Sequence, residues 1–555
     1  MSLRAKRAIN PAKLSAKMNK IFAQLVKKRG LDPSFLQPQY ENLTDPYQLP
    51  DMQPAIKRIK RAIQAQEKIL IYGDYDADGV TASTVMEQTL IFAGVKPENI
   101  IIMLPDRFTD GYGMSPKLIK RAQAEDITLV ITVDCGSHNH EIVDELNTLK
   151  IDSIITDHHE TPDHLPEAVA VINPKRQDRP CPELANLAGV GVAFKLAQAL
   201  VKEGAIKAGQ EKWLLDLVLI GTICDSMLLT GENRILCYYG LKVLKRTRRP
   251  GLKELMRRAG VKTLNSEAIG FQIGPRLNAA GRLDTAEIAL NLLRTNKSTE
   301  AASLANQLEE LNKKRKTEQL SATREIKERG IKDGSVIIET GHWHEGIIGI
   351  VAGHLAEDYA KPAFVLTEVE NNIYKGSGRS FGDFNLAKAL DQVRDTIIGG
   401  GGHAGAAGVK IKQENLYAFR EQINAYYDSL RLKNQSKYLK PIPDLTLDDF
   451  ADLSLELLEE LRVLEPYGPG NEEPIFRLRN VKIAEIRRMG ADQNHLRLDL
   501  VDKNGKFLKL LAFYAPEKWL QLTPDTEVEP IVKLMENDFN GVKSLEARIF
   551  DLAVL

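Results

Sequence analysis

The stretch KILIYGDYDADGV, residues 68–80, sets an apolar run, Ile69-Leu70-Ile71-Tyr72, directly against three carboxylates at alternating positions, Asp74, Asp76 and Asp78. The apolar run reads as a buried strand, so negative charge is concentrated where the strand ends. Around it the pattern alternates: a helical run AIKRIKRAIQAQ, this strand, a helix from Thr81 to about Ala93, and a further strand NIIIML. Such alternation predicts an α/β fold with a parallel sheet covered by helices on both faces. Two more apolar strands, ITLVITV and DSIIT, again terminate in acid, at Asp134 of VDCGS and Asp157 of TDHHE. Ligands of open parallel sheets bind beyond the carboxyl ends of the strands. Carboxylates repeated there are expected to share one crevice.

A chain of 555 residues exceeds one core and implies several domains. Lys plus Arg and Asp plus Glu each total 75, so no net field favours a polyanion and any basic surface must be local. Cys135, Cys181, Cys224 and Cys237 lack Cys-x-x-Cys spacing, which argues against a disulfide framework or a structural zinc site and for reduced thiols in a cytoplasm. No apolar run approaches bilayer length, and the basic N-terminus is not followed by a signal-peptide core.

Residues 1–50 are mixed and Pro-punctuated, a lead-in segment with no assigned chemistry; residues 51–264 carry the acidic strand ends. Residues 265–330 are Pro-poor and rich in Ala, Leu, Glu, Lys and Gln, which reads as a long helical connector. GSVIIET opens a second α/β domain, residues 331–432. Residues 440–555 alternate as strands with turn signals, Asn504-Gly505 marking a hairpin, and suggest a small β-barrel of the OB kind.

Asp76, Asp78, Asp134, Asp157, His158 and His159 form a mixed oxygen and imidazole set. Carboxylates suit Mg²⁺, and added imidazole moves the preference toward Mn²⁺. Two ions about 3.5 to 4 Å apart can clamp the attacking and leaving oxygens of a phosphoester. Unneutralised, clustered carboxylates repel one another; cations remove that penalty. Asp225 ends the apolar helix EKWLLDLVLIGTICDSM, where an anion is unfavourable unless a cation is near.

DYDADG, VDCG and DHH, followed by GTICDSM and GGGHAGAAG, resemble the ordered motifs of the DHH phosphoesterase superfamily with its DHHA1 domain. GFQIGPRLNAAGRL, WHEGIIGIVAGHLAE, GSGRS and LEPYGPGNEEPIF resemble the RecJ branch, exonucleases specific for single-stranded DNA that work from the 5′ end. The resemblance implies a phosphodiester hydrolase that releases 5′-mononucleotides in DNA repair and recombination. It implies Mn²⁺ or Mg²⁺, two ions, held by Asp76, Asp78, Asp134, His158 and Asp225, with Asp74, Asp157 and His159 at or just behind the site. One departure is local: the family continues after the Asp225 position with Val-x-Pro-Leu, and here Ser226-Met227-Leu228-Leu229 stands.

For substrate, the resemblance implies contacts from the Gly399–Gly402 run, Gly401 and Gly402 included, and from His403. Glycine amides approach phosphate oxygens closely. Ser377 and Arg379 offer donors for a terminal phosphate, and Arg276, Arg282, Arg107 and Tyr112 are further candidates. Basic runs at 242–258 and 313–316 could track a phosphate backbone, and Phe476, Phe507, Phe513 and Tyr514 could stack on bases. Single-stranded DNA is the implied partner; a helicase and a single-strand-binding protein are partners that the residues themselves do not specify.

Two rival readings stand beside this one: a DHH phosphodiesterase for short oligonucleotides or cyclic dinucleotides, and a non-catalytic single-strand-binding scaffold. The first is disfavoured by the segment after Pro441, the second by an intact ligand set. His344 lacks the second His of a helical zinc site, Ile348 standing there, and no Gly-Lys-Ser/Thr loop supports ATP hydrolysis.

Overall fold

The computed structural model describes residues 18–432 and 435–555. Contacts divide the chain into two compact units, residues 40–439 and a second that joins the chain up to Gln39 with Lys440–Leu555. Helix α1 (Lys20–Lys28) belongs to the second unit.

The first unit opens with α2 (Met52–Ala65) and a five-stranded sheet: β1 (Ile69–Tyr72), β2 (Ile100–Met103), β3 (Leu129–Val133), β4 (Asp152–Thr156) and β5 (Ala170–Ile172). All pairings are parallel, in the order β2-β1-β3-β4-β5. β1 and β3 are buried throughout, because helices cover both faces and every side chain meets a neighbour. The order reverses direction at β1, and the crevice of such a sheet opens between β1 and β3, beyond their carboxyl ends.

Helix α3 (Ala77–Phe92) follows β1 directly and starts four residues before Thr81, where the apolar pattern begins. It is buried on almost every side and packs with α4 (Gly189–Lys202) and α5 (Leu215–Cys224) in the main core.

Residues 265–330 are not one helix. They form α6 (Gly274–Leu283), a short helix Glu287–Arg294, and α7 (Ser298–Glu328) of 31 residues. Asp284 and Thr295 cause the breaks: their side chains accept from the amides of Thr285 and Lys297 and so compete with the helical ladder.

The second sheet runs β6-β7-β8-β10-β9, from β6 (Ile337–Gly341), β7 (Ala363–Glu368), β8 (Ile373–Arg379), β9 (Gly399–Gly402) and β10 (Ala406–Lys412), with α8 (Glu345–Tyr359) after β6. The tail of α7 packs with α8 and β7 in one core through Ala322, Ile326, Val351 and Val365.

In the other unit, β11 (Leu445–Leu447) pairs in parallel with β12 (Phe476–Leu478). β13 (Val481–Met489), β14 (His495–Asp502), β15 (Phe507–Ala512), β16 (Glu527–Phe539) and β17 (Val542–Val554) close on themselves, since β16 pairs with both β13 and β17, and β17 returns to β15. This is the barrel expected from the sequence. Its β14–β15 hairpin turns at Asn504-Gly505, Gly505 taking a positive φ of 78°. Leu496, Leu498 and Leu500 alternate inward. Phe476 is fully buried in this core and offers no face to a base, whereas Phe507 and Tyr514 are 64% and 76% exposed.

The lead-in segment divides. Ile21, Phe22 and Leu25 of α1 join the barrel core with Leu457, Phe476 and Val481, while Leu49 belongs to the first sheet's core. Asn19 anchors the start of α1, accepting from Ile21 N and donating to Asp452 O at 2.7 Å. Because Phe22 is wholly buried, Phe22→Ala should destabilise this unit by about 3–5 kcal/mol. Hydrogen exchange should show faster exchange in peptides of 476–552 and unchanged protection in 69–172; equal loss in both would refute the division.

Candidate active site

Each acidic residue stands where an element ends. Asp76 caps α3, its Oδ1 accepting from Asp78 N at 2.9 Å and Gly79 N at 3.0 Å. Asp78, in the first turn, is buried and accepts from Gly189 N at 2.6 Å and Val190 N at 3.0 Å, the free amides at the start of α4. Asp134 follows β3 with a left-handed φ of 63°. Asp157 follows β4 and organises its loop, accepting from Ser137 N, His158 N, His159 N and the His159 ring. Asp225 is the C-cap of α5, and Ser226 after it turns the chain with φ 57°.

These ends converge. His158 Nε2 lies 3.1 Å from Asp134 Oδ1, 3.6 Å from Asp225 Oδ2 and 3.9 Å from Asp78 Oδ2. Three groups place one ligand atom per residue within 4.8 Å of one another: Asp74, Asp76 and Asp134; Asp78, His158 and Asp225; Asp134, His158 and His159. Asp134 is common to the first and third.

The electrostatics of this cluster are unfavourable without a cation. Burial and mutual repulsion push Asp74 up to about 8, Asp78 to about 7 and Asp225 to about 8, and hold Asp134 well above the usual carboxylate range. Burial, with His159 nearby, takes His158 down to about 3, so its ring is neutral. His159 is raised to about 9 despite burial, because Asp157 accepts from Nδ1 at 2.9 Å. Asp74 Oδ1, Asp134 Oδ1 and both His158 ring nitrogens are buried without a hydrogen-bond partner. Orphaned carboxylate oxygens around a neutral imidazole fit divalent metal ions, whose coordination would satisfy them.

Beside the acids lies a cationic group. Arg107 sits over the Tyr75 ring, 4.9 Å from its centre. Arg282, on α6, donates to Gly346 O at 3.2 Å; burial and the charges of Arg107, Arg379 and Arg315 press its guanidinium down to about 9. Arg379, at the end of β8, donates to Ser377 Oγ at 3.2 Å and Gly378 O at 2.9 Å, and burial and Arg107 lower it too. No carboxylate lies within 4 Å of these three among the described residues. α6 reaches the acidic turn, since a Cβ on Gly281 would fall 2.4 Å from Tyr75 O, and Asp76 favours the charged form of Arg282.

The remaining substrate candidates separate by setting. Tyr112 Oη is 2.9 Å from His159 Nδ1, which places it at the acidic group. Burial, with the charges of Arg379 and His159, holds His403 below its ordinary value. Gly401 has open space around it, whereas a Cβ on Gly402 would come within 2.3 Å of Ala406 O. Arg276 is already neutralised by Glu309 at 2.6 Å; six residues from Arg282 on one helix, it points to another face. Part of each basic run is paired at home: Arg249 with Asp216, Arg257 and Arg258 with Glu254, Lys313 with Glu310.

Three contributors escape the sequence reading. A Cβ on Gly189 would fall 2.4 Å from Asp134 Oδ1, and one on Gly221 would fall 2.6 Å from Asp78 Oδ1. Asn278 on α6 accepts from Ala77 N at 2.8 Å and ties the acidic turn to that helix. A Gly-Val-Gly-Val run opening a helix was the available signal for the first, since helix N-termini bind anions.

Comparison with known proteins agrees with this architecture. The DHH family N-terminal domain matches residues 68–222, the DHHA1 domain 333–429 and the RecJ OB domain 444–551. The single-stranded-DNA-specific exonuclease RecJ of Bacillus subtilis is 35% identical over 96% of this chain and 68% of its own length. The crystal structure of RecJ from Thermus thermophilus in complex with Mn²⁺ superposes with a TM-score of 0.80 at 29% identity, over 96% of this chain and 75% of that one. The Escherichia coli exonuclease RecJ is 31% identical over 98% of both chains, and a likeness sustained end to end across all three domains makes this chain a member of the RecJ family.

Proposed function

We propose that this chain hydrolyses single-stranded DNA from the 5′ end, releasing 5′-mononucleotides, with Mn²⁺ or Mg²⁺ held at the acidic crevice. The observation that carries the reading is the pairing of a carboxylate cluster that fits divalent ions with guanidinium groups of the Arg107 loop and α6 set against the same acidic turn. One prepares phosphodiester hydrolysis; the other holds a phosphate. In line with this, relatives that share the whole chain are named single-stranded-DNA-specific exonucleases, and related structures contain Mn²⁺ and Mg²⁺.

Asp74, Asp76 and Asp134 would hold one ion, and Asp78, His158 and Asp225 a second, Asp134 Oδ1 lying 3.1 Å from His158 Nε2. Bound there, divalent ions supply Lewis acidity to the phosphate oxygens and acidify water. The amides of α4 fix the Asp78 carboxylate, and Gly189 and Gly221 let it and Asp134 approach. Asp157 orients His159 through Nδ1 and leaves Nε2 to donate to a non-bridging oxygen. Arg107, Arg282, Arg379 and Ser377 grip the terminal 5′-phosphate by forked hydrogen bonds. Holding that phosphate decides which diester meets the carboxylates, which sets direction and product.

Single-strand selectivity is steric in this reading, because a duplex cannot thread between two α/β halves braced by α7. The exposed Phe507, Phe513 and Tyr514 of the barrel would stack on the bases. A cytoplasmic setting, a role in DNA repair and recombination, a helicase that frees the strand and a single-strand-binding protein that coats it belong to the same proposal.

Asp134→Ala should lose activity by more than roughly a hundredfold with its circular dichroism unchanged; wild-type turnover in Mn²⁺ would sink the site. Substrates with a 5′ tail should be degraded ahead of those with a 3′ tail or blunt ends, a long strand ahead of a dinucleotide, and none in chelator. The opposite polarity would refute the anchor. Stability should also report the carboxylates. Asp74, Asp78 and Asp225 have folded values above their unfolded ones, so their contribution is present below about pH 4 and lost as pH rises through 7 to 8. In chelator the melting midpoint should therefore fall between about pH 5 and about pH 9, and saturating Mn²⁺ should remove most of that fall. A midpoint independent of pH in chelator would contradict the cluster.

A further inference from the structure

The motif His344-Glu345-Gly346-Ile347-Ile348-Gly349 holds neither metal nor phosphate in the proposed reaction, yet it meets Arg282, Ser377 and Arg379 and the neighbour of Arg107, Phe108. His344 caps α8, its Nδ1 accepting from Gly346 N at 3.1 Å, and its ring meets Phe108 edge-on at 5.4 Å. Phe108 is the neighbour of Arg107 in the loop after β2. Glu345 holds Lys375 at 2.8 Å, and Lys375 reaches back to Phe108 O at 3.5 Å, so the loop is gripped twice.

Gly346 accepts from Arg282 through its carbonyl and lies so close to that residue's backbone that a Cβ would fall 1.9 Å from Arg282 O. One helical turn on, a Cβ at Gly349 would come 2.8 Å from Ser377 Oγ and 3.1 Å from Arg379 Nη2. Positions three apart share one helix face. That face is therefore bare where two separate elements, α6 and β8, bring their donors up to it.

We infer that the His344–Gly349 turn is a positioning device that fixes the phosphate anchor: His344 and Glu345 brace the Arg107 loop, Gly346 seats Arg282, and Gly349 leaves the room in which Ser377 and Arg379 set their donors. The inference rests on the anchor reading. Like guanidinium charges repel, and three of them stay aimed at one point only when their supports are rigid. None of the six residues is assigned contact with DNA, so they act through the arginines.

The test is end selectivity: kcat/KM on single strands with a 5′-phosphate divided by that with a 5′-hydroxyl. This ratio does not depend on the fraction of enzyme folded. For Gly349→Ala it should fall by roughly ten- to a hundredfold, mostly through KM. His344→Ala, which frees the loop, should lower it in the same sense, and His344→Asn, which restores a cap but not the ring against Phe108, should not recover it. Arg379→Met is the control. If Arg379→Met lowers the ratio while Gly349→Ala and His344→Ala leave it at the wild-type value, the positioning role is wrong and the anchor stands. If all of these variants keep the wild-type ratio, the anchor reading fails and takes this inference with it.

Discussion

Negative charge gathered beyond the ends of a buried parallel sheet is the constraint that organises the larger unit. Asp74, Asp78, Asp134 and Asp157 are all nearly inaccessible to water, and a carboxylate withdrawn from water is strongly disfavoured unless something replaces its hydration. Replacement comes in two forms. Asp157 receives hydrogen bonds from three backbone amides and a ring, and Asp78 from two amides. Asp74 and Asp134 keep an oxygen with no donor at all. The contrast separates carboxylates whose orientation is fixed by donors, Asp78 among them, from those with an oxygen that only a cation would satisfy, although all sit within one crevice.

Glycine makes that concentration of charge possible. Gly79 packs against the backbone of Asp74, Gly189 against the Asp134 carboxylate and Gly221 against Asp78, and a methyl group at any of them would come within 2.6 Å of its neighbour. α3, α4 and α5 can thus bring their ends to the strand termini without side chains between them. The propensity lost by glycine within a helix, about 1 kcal/mol against alanine, is small beside the cost of a displaced ligand.

The acidic residues were legible because each follows a continuous apolar strand or helix, a local pattern that a sequence displays openly. The glycines at 189 and 221 and the amide of Asn278 were not, since what they touch is far away in the chain and their own surroundings look ordinary. The same holds for the cationic group. Arg107, Arg282 and Arg379 come from three separate elements, and spacing along α6 favours Arg276 as much as Arg282, though only Arg276 has a carboxylate to neutralise it. α1 teaches the same point at the largest separation: nothing in KIFAQLVKK names the barrel formed by the other end of the chain. Breaks in the connector at Asp284 and Thr295 were hidden for the opposite reason, being side-chain to backbone competition inside a composition that favours helix.

How α7 serves both sheets follows from its burial pattern. Ala305 and Leu308 lie in the core of the first sheet, and Ala322 and Ile326 in that of the second. Between them the buried side is polar: Asn312, Arg315 and Gln319, with Arg315 donating to both amides and Gln319 within 3.3 Å of the His354 ring on α8. An apolar stripe along the whole helix would let either core slide into the other, because hydrophobic contact has no direction. The Arg315 bonds stay within α7, so the polar contact that sets its register against a neighbour is Gln319 with the His354 ring on α8. The helix therefore joins the halves, and with α8 seated on α6 at Gly346 it sets the spacing between the acidic crevice of the first sheet and the Ser377 and Arg379 donors of the second.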